Sequence, residues 1–551
     1  MTDHTYTIEI LNEPISFESV SYLNSVKLTE YSAQKKINEH RLGFITKEEI
    51  YYNLSKGNKI NLDHSYVKDF SVSEYRKLNN LAVNEKVYIN SISAVFTFFD
   101  CDSVTDFSHT IFSGNVNFKE SIFLHGTLNF SYVEFKTSSI DFSECKFHAY
   151  RTTFEHAGFS GEKVTFEHAN FSGEVVSFIN TSFKCDETNF KRANFGSAKV
   201  KFHFAEFGNG TKLFERMRFN GPIFDFRRVI FGSGKIDFRR AIFGNGFVTF
   251  EESEIVEGKL TFRMARFEGG DLSFRRVDFG KDEANFDNVY FGNRSVSFES
   301  VEVSTLSIAN SDIHANIDLR VKKAVKIDLS HSYLYSITDL NFLKKDAIEK
   351  LSIIGIRNIG KIIIKWKENN VQKLIETNGG KNEEMADQFN VLKDNFSNNG
   401  QYDDEDWAYV QFKRHEHQFK KRERLDKYPS LKPFIHVLFT LRALVFDKIG
   451  VYATNPNRVI GSMLIAICGY AGIYILFHYL GLGELVNSVD ASDNLDIIDK
   501  SLYHSAITFF TIGYGDFYPT SFNRLISACE GWTGVFMMSY FTVAFVRKIL
   551  R

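Results

Sequence analysis

A strict twelve-residue repeat runs through the middle of this chain. Phenylalanine occupies every twelfth position from Phe118 to Phe298 without a gap, and a second phenylalanine follows five positions later, from Phe123 to Phe291, with Ile255 as the exception. The alternating steps of five and seven residues fit neither a helix nor a single strand. They fit a chain that turns a corner every five to seven residues and directs one large side chain inward on each side. The repeat therefore predicts a β-helix.

A small or aliphatic residue lies two positions before many of these phenylalanines, such as Val164 before Phe166. With this feature, the segment resembles the pentapeptide-repeat family in its phenylalanine-centred form. The resemblance implies a right-handed quadrilateral β-helix in which both motif residues point inward. With two units in each coil, the repeat would form a rod roughly 40 Å long at about 4.8 Å per coil. Weaker echoes extend the predicted β-helix to residues 91–340, and residues 1–90 are expected to form an N-terminal cap domain.

Charged pairs recur on this rod at intervals of two units: Arg227-Arg228, Glu251-Glu252, Arg275-Arg276. In a coil of two units these pairs would stack on one face with alternating sign. The pattern is typical of a solvated ladder of ion pairs, each of which stabilises little. The alternative is a site for an anionic ligand or a lipid headgroup, so an unknown small-molecule or protein ligand on the β-helix stays an open prediction. The net charge of −2 does not favour a nucleic-acid partner.

Residues 341–428 are predicted to form a helical linker. Apolar residues at three- and four-residue steps indicate three helices, near 353–366, near 383–397 and from about 403 onward. The third helix contains His415 and His417 in a basic run. These histidines would suit a metal or pH-sensing site, but solvent-exposed side chains on a charged helix are the simpler interpretation.

Three apolar segments follow the linker. Residues 429–458 contain an amphipathic helix with several basic side chains, which predicts a helix at the membrane interface; an ordinary soluble helix is the alternative. Residues 459–482 and 525–546 each approach the ~20 residues that a membrane-spanning helix needs. The second of these is interrupted only by Glu530.

The charges that flank the two predicted spans indicate their orientation. Basic residues lie at the outer ends of the pair: Arg458, Arg547, Lys548, Arg551. The stretch between the spans is acidic: Glu484, Asp490, Asp493, Asp496, Asp499. By the positive-inside rule both termini are cytoplasmic, and no signal peptide is evident at the N-terminus. The sequence therefore predicts a multi-pass protein of the cell (inner) membrane.

Between the two spans, a short apolar helix is followed by the hexapeptide Thr511-Ile512-Gly513-Tyr514-Gly515-Asp516. A dehydrated monovalent cation needs a cage of oxygen atoms, which rings of backbone carbonyls can supply. For these carbonyls to face one axis, the backbone must adopt conformations that only glycine adopts at little cost, which accounts for Gly513 and Gly515. The C-terminal end of the preceding helix would also favour a cation.

Residues 459–547 resemble the two-transmembrane potassium-channel family, with its outer helix, pore helix, filter and inner helix, and the pore domain is assigned to 459–551. The resemblance implies that Thr511 to Gly515 form the selectivity filter. Potassium would bind at Thr511, Ile512, Gly513 and Tyr514, with Asp516 as the carboxylate at the outer mouth. It further implies a homotetramer in a lipid bilayer, with K⁺ as the permeant ion and no organic cofactor.

Two residues of the inner helix are candidates for further roles in the pore. Gly534 falls where a hinge glycine would let the helix bend. Glu530 is costly at membrane depth. We predict that it is buried behind the filter and hydrogen-bonded to the pore helix or to Tyr503; a position at the level of the headgroups is the alternative.

The sequence thus predicts a multidomain potassium-channel subunit whose cytoplasmic β-helix gates or regulates the pore. A membrane-anchored scaffold is the alternative, but an anchor has no need of the filter hexapeptide. An enzyme is not favoured, because no nucleophile–base pair or phosphate-binding loop is evident. The five cysteines are scattered and show no metal-binding spacing.

Overall fold

The computed structural model describes residues 4–18, 20–32, 35–292, 294–342, 344–488 and 495–550. The chain forms two compact units, Met1–Gly379 and Gly380–Arg551. The first unit is a β-solenoid and the second is helical.

Each solenoid coil has four sides and contains 24 residues in its regular part. One coil runs through the strands Ile122–Phe123, Thr127–Asn129, Glu134–Lys136 and Ser139–Asp141. The next strand pairs in parallel with the first, so that Phe123 lies beside Phe147. One side continues as a sheet of 12 parallel strands: Val104–Asp106, Thr127–Asn129, Arg151–Thr153, Val175–Ser177, Lys199–Lys201, Ile223–Asp225, Phe247–Thr249, Leu272–Ser273, Ser295–Ser297, Asn316–Asp318, Ile337–Asp339, Lys361–Ile363. The predicted β-helix with two units per coil is confirmed.

The repeated phenylalanines form the core of the solenoid. Every member of the series from Phe118 to Phe298 is buried. The rings of Phe118 and Phe142 stack with centroids 5.1 Å apart and an interplanar angle of 1°, whereas Phe118 and Phe130 meet edge to face at 81°. Burial of each side chain stabilises the fold by roughly 1.5–3 kcal/mol relative to exposure. Stacked rings along the axis and perpendicular rings across it therefore fill the interior.

Each corner after a repeat phenylalanine requires a left-handed residue. His156, His168 and Arg192 lie two positions after their phenylalanines and have φ values of 58°, 59° and 55°. Short polar side chains stabilise these turns; for example, Asp141 Oδ1 accepts a hydrogen bond from the Ser143 N–H at 2.8 Å. Each coil therefore has two such corners, and each corner places its side chain in register with the residue 24 positions away in the next coil.

One inward position carries a charge. Lys212 is only 2% exposed, and its Nζ donates hydrogen bonds to the carbonyl oxygens of Ser233 (2.7 Å), Gly210 (3.2 Å) and Gly232 (3.2 Å). Burial lowers the pKa of this amine to about 8. The three carbonyls satisfy the three ammonium hydrogens.

The solenoid begins earlier than the predicted boundary at residue 91. The strand Ile60–Asn61 pairs with Ile92–Ser93, and Ser65–Lys68 pairs with Phe98–Asp100. Before them, an antiparallel sheet extends the same ladder with the strands His4–Leu11, Asn24–Ser32 and Lys35–Ile45. Helices α1 Lys47–Ser55 and α2 Val72–Leu78 follow these strands in the chain.

The solenoid also ends later than predicted, and the helix expected near 353–366 is wrong. This stretch forms the strands Ile348–Ser352, Arg357–Asn358 and Lys361–Ile363. The buried positions of a coil include residues three apart, here Ile353 and Ile356, and this spacing imitates a helical period. The linker's helical part begins with α3, Val371–Asn378, which packs against the last coil.

The second unit consists mainly of helices, which are α4 Asn382–Asn398, α5 Tyr402–Lys427, α6 Lys432–Ala443, α7 Pro456–Tyr479, α8 Ile497–Phe509 and α9 Asn523–Ile549. A 3₁₀ turn, Pro429–Leu431, precedes α6, and a π turn, Leu444–Lys448, follows it. Within the described residues, two helical segments are long and apolar enough to cross a membrane: Pro429–Lys448 and Pro456–Tyr479.

Helix α9 contains the second predicted span, but it is less apolar than these two segments and is not among the candidate spans of the described residues. Glu530 and the small or polar residues that follow it interrupt its apolar run. The segment predicted to lie at the interface is, by composition, a candidate span. Its interfacial position stays a prediction.

Candidate functional site

Helix α8 places the predicted filter hexapeptide. Asp496 caps its N-terminus by accepting a hydrogen bond from the Ile497 N–H at 2.7 Å. The helix packs against both α7 and α9, and Phe509 near its end is fully buried in a cluster that includes Met463 and Met537. The loop that follows α8 therefore starts from a fixed point between the two long helices.

The backbone of the hexapeptide is left-handed at both glycines. Gly513 and Gly515 have φ values of 57° and 78°, and Thr511 also lies in this region at 56°. A Cβ atom on either glycine would meet nothing within 4 Å, so the requirement for glycine is conformational rather than steric. The Ile512 N–H donates to the Ile507 carbonyl at 2.8 Å and holds the loop against the last turn of α8.

The outer end of the hexapeptide is fixed by neighbouring backbone. Ser488 Oγ donates to the Gly515 carbonyl at 2.6 Å, and the Ser488 N–H donates to the Asp516 carbonyl at 2.7 Å. Next to these bonds, the strands Leu485–Asn487 and Phe517–Pro519 pair antiparallel. Asp516 Oδ1 accepts a hydrogen bond from the Phe517 N–H at 3.0 Å, and the ring of Tyr503 from α8 packs edge to face against Phe517 with centroids 6.0 Å apart.

Glu530 is fully buried where α7, α8 and α9 meet. It accepts a hydrogen bond from Tyr474 Oη of α7 at 2.7 Å and is hydrogen-bonded to Ser505 Oγ of α8. Ser505 belongs to the predicted pore helix, whereas Tyr503, the other predicted donor, contacts Phe517 instead. Sequence reasoning missed Tyr474, which lies 56 positions away in the chain.

Gly534 lies where α9 touches the end of α8. A Cβ atom on this glycine would lie 1.9 Å from the Phe509 carbonyl oxygen and 2.8 Å from its carbonyl carbon. Helix α9 is continuous through this position. The structure thus gives Gly534 a role in close helix packing. The hinge at this position stays a prediction.

A left-handed turn joins the π turn after α6 to helix α7. Three consecutive residues other than glycine have positive φ: Val451 (50°), Tyr452 (54°) and Ala453 (61°). Such residues are disfavoured individually, so a run of three persists only where neighbouring contacts hold it. Tyr540 of α9 provides these contacts, because its hydroxyl accepts from the Ala453 N–H at 2.8 Å and donates to the Phe446 carbonyl at 3.0 Å.

Ion pairs connect the C-terminal end of α9 to α5. Lys548 Nζ lies 2.7 Å from Asp403 Oδ1, and Arg547 Nη2 lies 3.0 Å from Asp406 Oδ1. The Arg547 guanidinium also lies over the ring of Tyr409, 4.2 Å from its centroid. No sequence motif signalled this cluster, because its partners lie more than a hundred residues apart.

Helix α5 also contacts the segment that leads into α7. Arg414 donates to both carboxylate oxygens of Asp447, with the shortest distance 2.9 Å. His415 contacts Asn382 Oδ1 at 3.0 Å, whereas His417 lies against Phe439. Burial and the cations Arg442 and Lys421 lower the pKa of His417. The two histidines have separate surroundings and share no metal site among the residues described.

Some predicted residues lie outside the part of the chain that the structure describes. Asp490, Asp493 and Arg551 belong to this group. On the solenoid, the predicted ladder of charged pairs is present: Arg228 and Arg276 lie 2.7 and 2.5 Å from Glu252.

Residues 459–551, which contain α7, α8, the hexapeptide and α9, match a protein family described as an ion channel. This segment is an ion-channel domain. It follows a β-solenoid with the phenylalanine repeat, and two apolar helices support a membrane location.

Among curated proteins, the chain is similar to Protein LctB of Bacillus caldotenax, with 32% identity over 76 residues. The alignment covers 13% of this chain and 57% of that protein. The chain thus spans a little over half the length of the relative that it matches. No solved structure matches the chain.

Proposed function

We propose that this chain is one subunit of a potassium-selective channel, in which four copies surround a central pore and the β-solenoid regulates opening. The observation that carries the proposal is the hexapeptide Thr511 to Asp516, with its two left-handed glycines, directly after α8 in the ion-channel domain. Backbone carbonyls from this segment would replace the hydration shell of K⁺.

The proposed stoichiometry rests on the contribution of each chain. One chain supplies one strand of carbonyls, and a closed ring around a cation needs several copies related by rotation. Ile512, Tyr514 and Trp532 are 51%, 72% and 81% exposed on the single chain. In the proposed tetramer Tyr514 would pack against neighbouring pore helices. Native mass spectrometry in detergent is expected to give four copies.

The decisive experiment is ion flux into liposomes that contain the purified protein. We expect K⁺ flux with little Na⁺ flux, and loss of selectivity in Gly513→Ala, because alanine is strained at a φ of 57°. Gly461→Ala is the matched control, since its added Cβ would meet nothing within 4 Å and its helix lacks a positive φ there. Equal passage of Na⁺ and K⁺, or no flux at all, would favour the membrane-anchored scaffold instead.

Regulation by the cytoplasmic part would act through α5. This helix is ion-paired both to the end of α9 and, through Arg414, to the segment before α7. A displacement of α5 would therefore reach both helices that flank the filter. Removing residues 1–379 leaves the helical unit; we expect its open probability in planar bilayers to differ from that of the full chain. Identical open probability in the two proteins would exclude regulation by the solenoid.

The proposed location is the cell (inner) membrane, with both termini cytoplasmic. Among the described residues, Arg458, Arg547 and Lys548 lie at one end of the two helices, and Glu484 and Asp496 lie between them. No enzymatic activity and no organic cofactor are part of the proposal. Digestion of inside-out vesicles with an added protease would test the orientation. Residues 4–379 should be cleaved, because the cytoplasmic side of these vesicles faces the protease.

A further inference from the structure

One corner of the solenoid has an excess of arginine. Arg192, Arg216 and Arg240 occupy the same left-handed corner position of three successive coils. The backbone places them in register, because the Arg192 N–H donates to the Glu215 carbonyl and the Arg216 N–H donates to the Arg239 carbonyl, both at 2.9 Å. All three side chains are exposed.

The neighbouring positions increase this charge rather than neutralise it. The three corners and the residues that flank them contain six cations, Lys191, Arg192, Arg216, Arg218, Arg239 and Arg240, and we refer to them as the arginine strip. Lys191 and Arg239 are half-buried, and Arg239 pairs with Asp237 at 2.8 Å. Glu215 is the one acid among them, and it is shared by Arg239 (3.5 Å) and Arg216 (3.8 Å). In the described part of the chain, Arg218 and Arg240 have no carboxylate within ion-pair distance.

The opposite corner of the solenoid is different. There, Arg228 and Glu252 lie in two of the same coils and Arg276 lies in the next coil, and both arginines contact Glu252, so that charges alternate along the rod. Successive coils are about 4.8 Å apart, and like charges directly opposite each other on adjacent strands are destabilising. The solenoid geometry therefore allows an acidic residue on one coil to neutralise basic residues on the adjacent coils. The corner position shared by Arg192, Arg216 and Arg240 lacks this alternation.

A groove adjoins the strip on the next side of the solenoid. It has a volume of about 520 Å³, and its charged lining residues are Lys235, Arg239, Lys259, Arg263 and Glu283. Asp237 is paired with Lys235 and Arg239, whereas Lys259 and Arg263 have no carboxylate within ion-pair distance among the described residues. Arg239 belongs to both the strip and the groove, so the two form one continuous basic surface.

We propose that the arginine strip and this groove bind a small molecule with two or more phosphate groups. Guanidinium groups bind phosphate oxygens in a bidentate manner, and three in register suit several phosphates at once. The groove falls within the ~300–1,000 Å³ of small-molecule sites. The strip spans two coil spacings, roughly 10 Å, which is short for a nucleic-acid footprint.

Calorimetric titration of the full-length protein in detergent with inorganic tripolyphosphate tests the proposal. We expect binding that weakens with salt and falls at least tenfold in R192Q/R216Q/R240Q. The control R227Q/R228Q/R276Q removes three arginines from the opposite corner and should bind as the unaltered protein does. Absence of binding, or equal losses in the two variants, would overturn the proposal.

Two further arms identify the source of the phosphates. Binding of ATP but not of vesicles containing phosphatidic acid supports a soluble ligand. Binding to those vesicles alone, or to duplex DNA alone, would contradict it. These measurements do not depend on ion flux, so they stand or fall separately from the proposed channel function.

The unliganded proteins provide a second readout. Relief of the like-charge contacts should raise the Tm of Arg240→Gln, whereas Arg228→Gln should not raise it, because that change breaks an ion pair. A fall in the Tm of Arg240→Gln would indicate a structural role and would count against a ligand site.

Discussion

The Tyr540 hydroxyl on α9 lies 3.0 Å from the Phe446 carbonyl oxygen at the end of the helical segment before α7. The same hydroxyl accepts from the Ala453 N–H within the left-handed turn. One phenol thus connects α9, the predicted inner helix, to the left-handed turn that leads into α7.

Tyr540→Phe should loosen this joint while keeping the aromatic ring. We expect a loss of stability of about 1 kcal/mol per hydrogen bond. In the variant, deletion of residues 1–379 should also change the open probability less than the same deletion does in the unaltered protein. Tyr479→Phe is the control, because Tyr479 is 75% exposed at the end of α7. Single-channel recording and thermal unfolding would measure both effects. Indistinguishable behaviour of the two variants would show that the phenol does not couple these segments.

The ion pair between Lys548 and Asp403 should matter for gating more than for stability. Asp403 is 86% exposed, and exposed pairs contribute roughly 0.2–1 kcal/mol. We expect Lys548→Glu to change the open probability and the double change Lys548→Glu/Asp403→Lys to restore part of it. Because Asp406 also faces Lys548 at 3.5 Å, full restoration is not expected. Failure of the double variant to recover at all would contradict a direct pair.

Gly534→Ala separates close packing from bending. The added Cβ would lie 1.9 Å from the Phe509 carbonyl oxygen, so α9 must move away from α8 at a cost of about 1–3 kcal/mol. We expect a lower Tm together with reduced K⁺ flux. Gly531→Ala meets no atom within 4 Å and is the matched control in the same helix. A normal Tm with altered gating would instead support the hinge.

Lys212 predicts a pH dependence for the solenoid. Its pKa of about 8 in the folded protein is below the usual value of about 10.4, so the unfolded chain holds the proton more tightly. Stability should therefore rise as the pH increases from about 8 to about 10. In Lys212→Met, this rise in the unfolding temperature should be smaller. An unchanged pH profile in the variant would show that Lys212 does not titrate in this range.

The sequence was sufficient for the core of the solenoid, because inward phenylalanines at fixed spacing leave few other ways to bury their rings. It was insufficient at the ends of the solenoid. Near Ile353 and Ile356, inward positions of the coil coincide with helical spacing. In the N-terminal part, Ile60–Asn61 joins the ladder through a partner 32 positions away, which no local pattern indicates.

The candidate site shows the same division. The glycines of the hexapeptide could be assigned because their backbone conformation is a local requirement. Tyr474, Tyr540 and the partners of Arg547 could not, because each acts through a contact between distant parts of the chain. The arginine strip lies between these cases. Its corner residues form a repeat that is visible in the sequence, but the lack of a carboxylate near Arg218 and Arg240 among the described residues emerges only when the coils are stacked.

The assignment of 24 residues to each regular coil limits how such a chain can change in length. Removal of one full coil would leave every remaining strand beside an equivalent neighbour. Removal of a single twelve-residue unit would rotate everything beyond the cut by half a turn and exchange opposite corners. The rod can therefore grow or shrink in whole coils without disturbing which residues share an edge, and only in whole coils.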